Sequence, residues 1–220
     1  MNKYNFTETD KTILKRLVDE DEKEEEYLSK KRAKDLFEKD ILLKADLGTF
    51  KSLQAIHKYL FQDCFETAGL VRKHDIRKGD TLFCKAMYLE DNLRTVSNMK
   101  EDTFEDIIEK YVEMNMMHPF YEGNGRVTRI WLDFLLIKRL GKCVDWKKID
   151  KEDYLSAMRR SVINSLELRI LLGDNLTDDI NNRDLYMSNI NQSYSYENMT
   201  SYDANKLDEE TELKEKYSKK

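Results

Sequence analysis

Apolar residues recur at helical spacing in TFEDIIEKYVEMNMM, residues 103 to 117, where Phe104, Ile107, Ile108, Tyr111, Met114 and Met117 fall on one face. Thr103 supplies an N-cap, with Asp106 three residues on. The helix must end near His118, because Pro119 disfavours the α conformation in the residue before it. The pattern resumes in RVTRIWLDFLLIKRL, residues 126 to 140, with Ile130, Trp131, Phe134, Leu135 and Leu140 inward and Gly141 as a C-cap. Weaker helical patterns cover LQAIHKYLF (53–61), DYLSAMRRSVINSLELRILL (153–172) and RDLYMSNINQSYSYEN (183–198). One region reads as extended: GLVRKHDIRKGDTLFCKAM (69–87), where short β-prone runs flank the turn signal Lys78-Gly79-Asp80. The pattern predicts an all-α fold with a single hairpin.

Both ends of the chain lack such a pattern. DEDEKEEE at 19 to 26 holds seven acids and one lysine with little apolar material beside it, and predicts a solvated helix or a disordered arm. From Ser201 onward Lys alternates with Glu and Asp, and an exposed tail is expected. The packed region is therefore expected from about Lys30 to Met199.

Composition narrows the function. Of 220 residues 37% are charged, and the net charge of -5 gives no overall basic field for nucleic acid. Cys64, Cys84 and Cys143 have no CxxC spacing and argue against a disulfide framework or a zinc site. No apolar run approaches the roughly 18 residues of a membrane span, and the first residues lack an apolar signal core. The expected location is cytoplasmic, with export as an effector left open.

The candidate chemistry lies in the joint between the two strongest helices. HPFYEGNGR, 118 to 126, contains the only proline and two of the seven glycines. A glycine pair around Asn124 at a helix start offers free backbone N–H groups and the positive end of the helix dipole to an anion such as phosphate. Arg126 and Arg129, three residues apart on the first turn, add guanidinium groups on one side. Glu122 is a lone carboxylate of the kind that suits Mg²⁺ beside phosphates. His118 is a general base at neutral pH. A base, a carboxylate, an anion cradle and two arginines in twelve residues describe transfer of a phosphate-containing group.

HPFYEGNGRVTR resembles the Fic motif, HPFx(D/E)GNGRxxR, at every specified position, and the resemblance extends from about Leu47 to Met199. It implies a Fic fold, a helical core with a short β-hairpin flap, and a protein adenylyltransferase moving AMP from ATP to a Tyr, Thr or Ser hydroxyl. By this resemblance His118 would deprotonate the hydroxyl, Phe120 would fix the loop and Glu122 would bind Mg²⁺. Gly123, Asn124 and Gly125 would hold phosphates through backbone groups and the Asn124 side chain, with Arg126 on the β-phosphate and Arg129 on the γ-phosphate. The flap, with Ile76, Lys78, Gly79, Asp80, Thr81, Leu82 and Phe83, would pair with the target backbone.

SYSYEN, 193 to 198, resembles the family's inhibitory motif (S/T)xxxE(G/N), with Ser193, Glu197 and Asn198 in the specified places. The resemblance implies a single-domain, self-inhibited subclass in which Glu197 takes Arg129 from the γ-phosphate; one guanidinium cannot serve both anions in the same place. Tyr194 and Tyr196 are candidates for automodification. The implied division is a charged arm (1–29), a Fic catalytic core (30–182), a C-terminal autoinhibitory helix (183–199) and a charged tail (200–220). The alternatives are another nucleotide donor, removal of AMP, or a non-catalytic regulatory module. Among partners, the resemblance points to a hydroxyl-bearing target protein, a type II topoisomerase subunit being one guess, and to self-association; no membrane or direct nucleic-acid contact is expected.

Overall fold

The computed structural model describes residues 8–39, 41, 46–79 and 81–208. Its helices are α1 (Glu8–Glu38), α2 (Phe50–Phe61), α3 (Leu89–Ser97), α4 (Phe104–Met117), α5 (Asn124–Leu140), α6 (Lys151–Ser161), α7 (Leu166–Gly173) and α8 (Arg183–Ser195). Among the described residues strands are confined to two antiparallel pairs, β1 (Arg77–Lys78) with β2 (Thr81–Leu82), and β3 (Cys143–Val144) with β4 (Leu176–Thr177).

Helix α4 starts where its caps dictate: Thr103 and Asp106 form a reciprocal capping box. Helix α5 is the centre of the molecule, packed against α2, α4 and α8. Val127, Trp131, Leu132, Leu135 and Leu136 are all buried, as a helix enclosed on most sides requires. Trp131 donates its indole N–H to Ser52 Oγ on α2 at 3.0 Å, so its burial leaves no polar group unmet. Gly141 ends α5 in the left-handed conformation, and Leu140 is only partly buried.

The pattern over 153–172 forms two helices, not one. Asn164 Oδ1 accepts the Leu166 N–H at 2.9 Å, a local bond that competes with helix continuation. Val162 and Ile163 are left facing solvent at the corner.

Both expected boundaries are corrected. Helix α1 runs unbroken through residues 29 and 30 and lies on α2 and α8, burying Tyr27, Ala33 and Leu36. Within the acidic stretch Glu26 is only 2% exposed, because it accepts the Ser201 and Tyr202 N–H groups, each at 3.1 Å, and pairs with Lys30 at 2.7 Å. Residues expected as tail are thereby held down: Tyr202 packs on Tyr27, with ring centroids 5.3 Å apart, and Ala204 and Leu207 are buried. The rest of the expected tail, 209–220, lies outside the described residues.

Candidate active site

His118 stands at the C-terminal end of α4 with φ 44°, a left-handed turn that directs the chain away from the helix ahead of Pro119. Its Nδ1 lies 3.1 Å from the Asn115 carbonyl. A carbonyl only accepts, so Nδ1 carries the proton and Nε2 is the free base. Burial lowers its pKa from 6.5 to about 4, which keeps the ring neutral and ready to take a proton at pH 7.

The loop after it is closed from inside. Phe120 is fully buried and stacks on His57 with centroids 3.8 Å apart. Asn124 accepts the Phe120 N–H at 2.9 Å and donates back to the Phe120 carbonyl at 2.8 Å. The Asn124 side chain thereby staples the loop, with one of its two amide N–H donors on the Phe120 carbonyl. Gly123 has φ 71°, and a Cβ there would lie 2.5 Å from the Phe61 ring. A Cβ on Gly125 would lie 2.7 Å from Glu197 Oε1 and 3.0 Å from Arg129. Gly123 is therefore set by space as well as by its left-handed turn, whereas Gly125, inside α5, is crowded only by the ends of the Glu197 and Arg129 side chains.

His57 of α2 supports this loop. Gly69 N–H donates to its Nδ1 at 2.9 Å, so Nε2 holds the proton and donates to the Glu122 carbonyl at 2.9 Å. Glu122 itself is exposed at the mouth of the loop. Partial desolvation, with Glu25 and Glu197 nearby, raises its pKa.

Arg126 and Arg129 are both buried, and Glu197 reaches both. Its Oε1 is 3.2 Å from Arg129 and its Oε2 3.1 Å from Arg126 Nε. Burial alone would push the Glu197 pKa up, but Arg126 and Arg129, with Lys78 beyond, hold it below the usual carboxylate range. Ser193 fixes Arg129 from one turn earlier, accepting from Nε on its hydroxyl at 2.7 Å and from the terminal nitrogen on its carbonyl at 2.8 Å. Past α8 the chain turns on Asn198 (φ 64°), with Asn198 N–H on the Ser195 carbonyl at 3.0 Å and Met199 N–H on the Tyr194 carbonyl at 3.1 Å. This is a Schellman turn, which favours Gly or Asn at its left-handed position. Tyr194 and Tyr196 are 0% and 4% exposed, so neither is open to modification with α8 in place.

The flap is short. Arg77 faces Leu82 and Lys78 faces Thr81, with Gly79 at φ 58° in the turn; Asp80 lies outside the described residues. Phe83 N–H reaches the Ile76 carbonyl at 3.4 Å, and Cys84 N–H bonds to the Met116 carbonyl of α4 at 3.1 Å. Arg72, unnoticed in the sequence, ties flap to loop: it donates to the carbonyls of His118 at 2.7 Å, His74 at 2.6 Å and Met117 at 3.2 Å, and to that of Cys84. Nothing in the sequence distinguishes Arg72 from its basic neighbours. Glu25 was missed for a similar reason, being one acid among seven, yet it pairs with Arg126 at 2.6 Å.

Residues 48–136 match the Fic/DOC family. The chain is 33% identical over 125 residues to the probable protein adenylyltransferase Fic of Escherichia coli K12, spanning 52% of this chain and 62% of that protein. It is 32% identical over 130 residues to the probable protein adenylyltransferase y4lH of Sinorhizobium fredii, spanning 53% of this chain and 67% of that one.

The chain belongs to the Fic/DOC family.

The fold agrees. BepC of Bartonella tribocorum, solved with AMPPNP, superposes with a TM-score of 0.56 at 19% identity, over 80% of this chain and 91% of that one. The N-terminal Fic domain of a VirB-translocated effector from Bartonella sp. AR 15-3 gives 0.54 at 22% identity, over 68% and 82%. The His118 loop and both arginines fall inside the matched Fic region, whereas Glu25 and Glu197 lie outside it. No helix among the described residues is long and apolar enough to cross a membrane.

Proposed function

We propose that this Fic protein is a protein adenylyltransferase held inactive by Glu197. The observation that carries the reading is the single carboxylate 3.2 Å from Arg129 and 3.1 Å from Arg126, in the place where the loop would gather phosphates. Relatives named as adenylyltransferases and a structural neighbour solved with an ATP analogue support ATP as the donor.

In the reaction the target hydroxyl oxygen bonds to the α-phosphorus of ATP and its proton passes to His118 Nε2. The bond from the α-phosphorus to the bridging oxygen breaks, and pyrophosphate leaves. The first N–H groups of α5, which have no partner within the helix, meet the phosphate oxygens. Arg126 and Arg129 take up the charge on the leaving pyrophosphate. Glu122 is the residue that would hold Mg²⁺: one exposed carboxylate, with no group of three metal-binding side chains among the described residues, suits an ion that keeps its waters and arrives with phosphates. Bound there, Mg²⁺ would neutralise phosphate charge. The flap supplies the edge on which the target lies, and bacterial type II topoisomerase subunits are the first targets to test.

Labelling decides it. Wild type, Glu197→Gly and Glu197→Gly with His118→Ala are incubated in bacterial lysate with α-labelled or γ-labelled ATP. The expected result is label from the α position only, strongest for Glu197→Gly and absent without His118. Label from the γ position would establish a kinase instead, and equal labelling by wild type and Glu197→Gly would remove the brake.

A further inference from the structure

Glu25 lies on α1, outside the matched Fic region, and nothing so far gives it a part in the reaction. Its Oε1 is 2.6 Å from NH1 of Arg126, a guanidinium only 2% exposed. The flat faces of that guanidinium meet aromatic rings, Phe61 at 4.8 Å and Tyr194 at 5.2 Å. Rings hold the plane but do not fix rotation within it. In-plane direction comes chiefly from the two carboxylates, Glu25 on NH1 and Glu197 beside Nε, with the Met199 sulfur a weak third acceptor 3.4 Å from NH1.

These two contacts differ. The Glu25 bond is short and aligned. The buried Nε–H has no aligned acceptor among the described residues, although Glu197 Oε2 lies beside it at 3.1 Å. The Nε edge is thus an unmet donor facing the phosphate space, whereas the NH1 end is already engaged from behind. Glu25 is itself anchored, since its neighbour Glu26 is bound to the backbone at Ser201 and Tyr202.

We infer that Glu25 is a positioning residue for the adenylyl donor: it fixes Arg126 from behind so that the Nε edge meets the β-phosphate once Glu197 has withdrawn. This rests on the adenylyltransferase reading. Two-sided use of a guanidinium, one edge on a supporting carboxylate and the other on the ligand, follows from its forked donors. It also leaves Arg126 with a counter-charge after Glu197 departs, so the open site does not hold a bare buried cation.

The test is nucleotide affinity in the Glu197→Gly protein, measured by calorimetry with ADP and AMP. AMP has no β-phosphate and reports on the rest of the site. Glu25→Ala is expected to raise the Kd for ADP roughly tenfold, the order expected for losing one charge-assisted support of the phosphate-binding guanidinium, and to leave that for AMP unchanged. Glu25→Gln, which keeps the acceptor, is expected to restore most of the loss. Equal losses for both nucleotides would make Glu25 merely structural and overturn the inference. So would unchanged or tighter ADP binding, the latter making Glu25 a second brake. If the Glu197→Gly parent itself binds neither nucleotide, the adenylyltransferase reading fails and this inference fails with it.

Discussion

Phe83 of the flap lies flat on the ring of His118, with centroids 3.7 Å apart and planes 11° apart. The side chain that follows β2 is therefore also the cover of the proposed base. Burial is the main cause that lowers the His118 pKa to about 4. Phe83→Ala should let water reach the ring and raise that pKa toward 6.5, read by NMR titration of the imidazole protons. No movement would mean that the loop itself, and not the flap, keeps the base dry.

His57 and His118 both have pKa values lowered to about 4 in the fold by burial. Between about pH 6.5 and 4 the unfolded chain binds these protons and the folded chain does not, so stability falls as pH falls through that window. For His57, which is almost wholly buried, the loss approaches the order of 3 kcal/mol at the acid end. Chemical denaturation at several pH values should show this slope, and His57→Gln should remove about half of it while lowering stability throughout.

Removing Glu197 has a cost that a nucleotide can offset. Two buried guanidinium groups lose their shared carboxylate, and Glu197→Gly should destabilise the apo protein by about 2 to 4 kcal/mol. Added Mg-ATP should raise its Tm more than that of wild type, because the phosphates reach vacated arginines. A thermal shift series with and without nucleotide checks both halves. Equal shifts in the two proteins would mean that Glu197 does not compete with ATP.

Gly123 and Gly141 share a left-handed backbone but not the same surroundings. A Cβ on Gly141 meets nothing within 4 Å, whereas one on Gly123 would strike Phe61 at 2.5 Å. Gly141→Ala should cost about 1 kcal/mol, from the backbone alone. Gly123→Ala should cost about 2 to 4 kcal/mol through the added clash. Denaturation midpoints rank the two.

Periodicity and caps carried much of the fold. Thr103, Asp106, His118-Pro119 and Gly141 placed the ends of α4 and α5 because capping chemistry is local. The break between α6 and α7 was hidden, since Val162 and Ile163 look like core residues and are not. Helix α1 was misread because half of its buried face is polar: Glu26 and Lys30 are satisfied by residues far along the chain and Ser29 by carbonyls of α1 itself, and no periodicity scale registers that. The loop's site residues form one linear motif, so most were legible. Glu25, His57 and Arg72 act on that motif from three other segments, through bonds that only the fold creates.

Tyr194 is sealed on the side of α8 that packs against α1, completely out of contact with solvent. A group attached to its hydroxyl, by this chain or by another enzyme, would therefore have to arrive with α8 lifted, and its bulk would oppose the return of the helix. A chain modified at this tyrosine would keep a lasting record of one release, turning a reversible equilibrium into a ratchet.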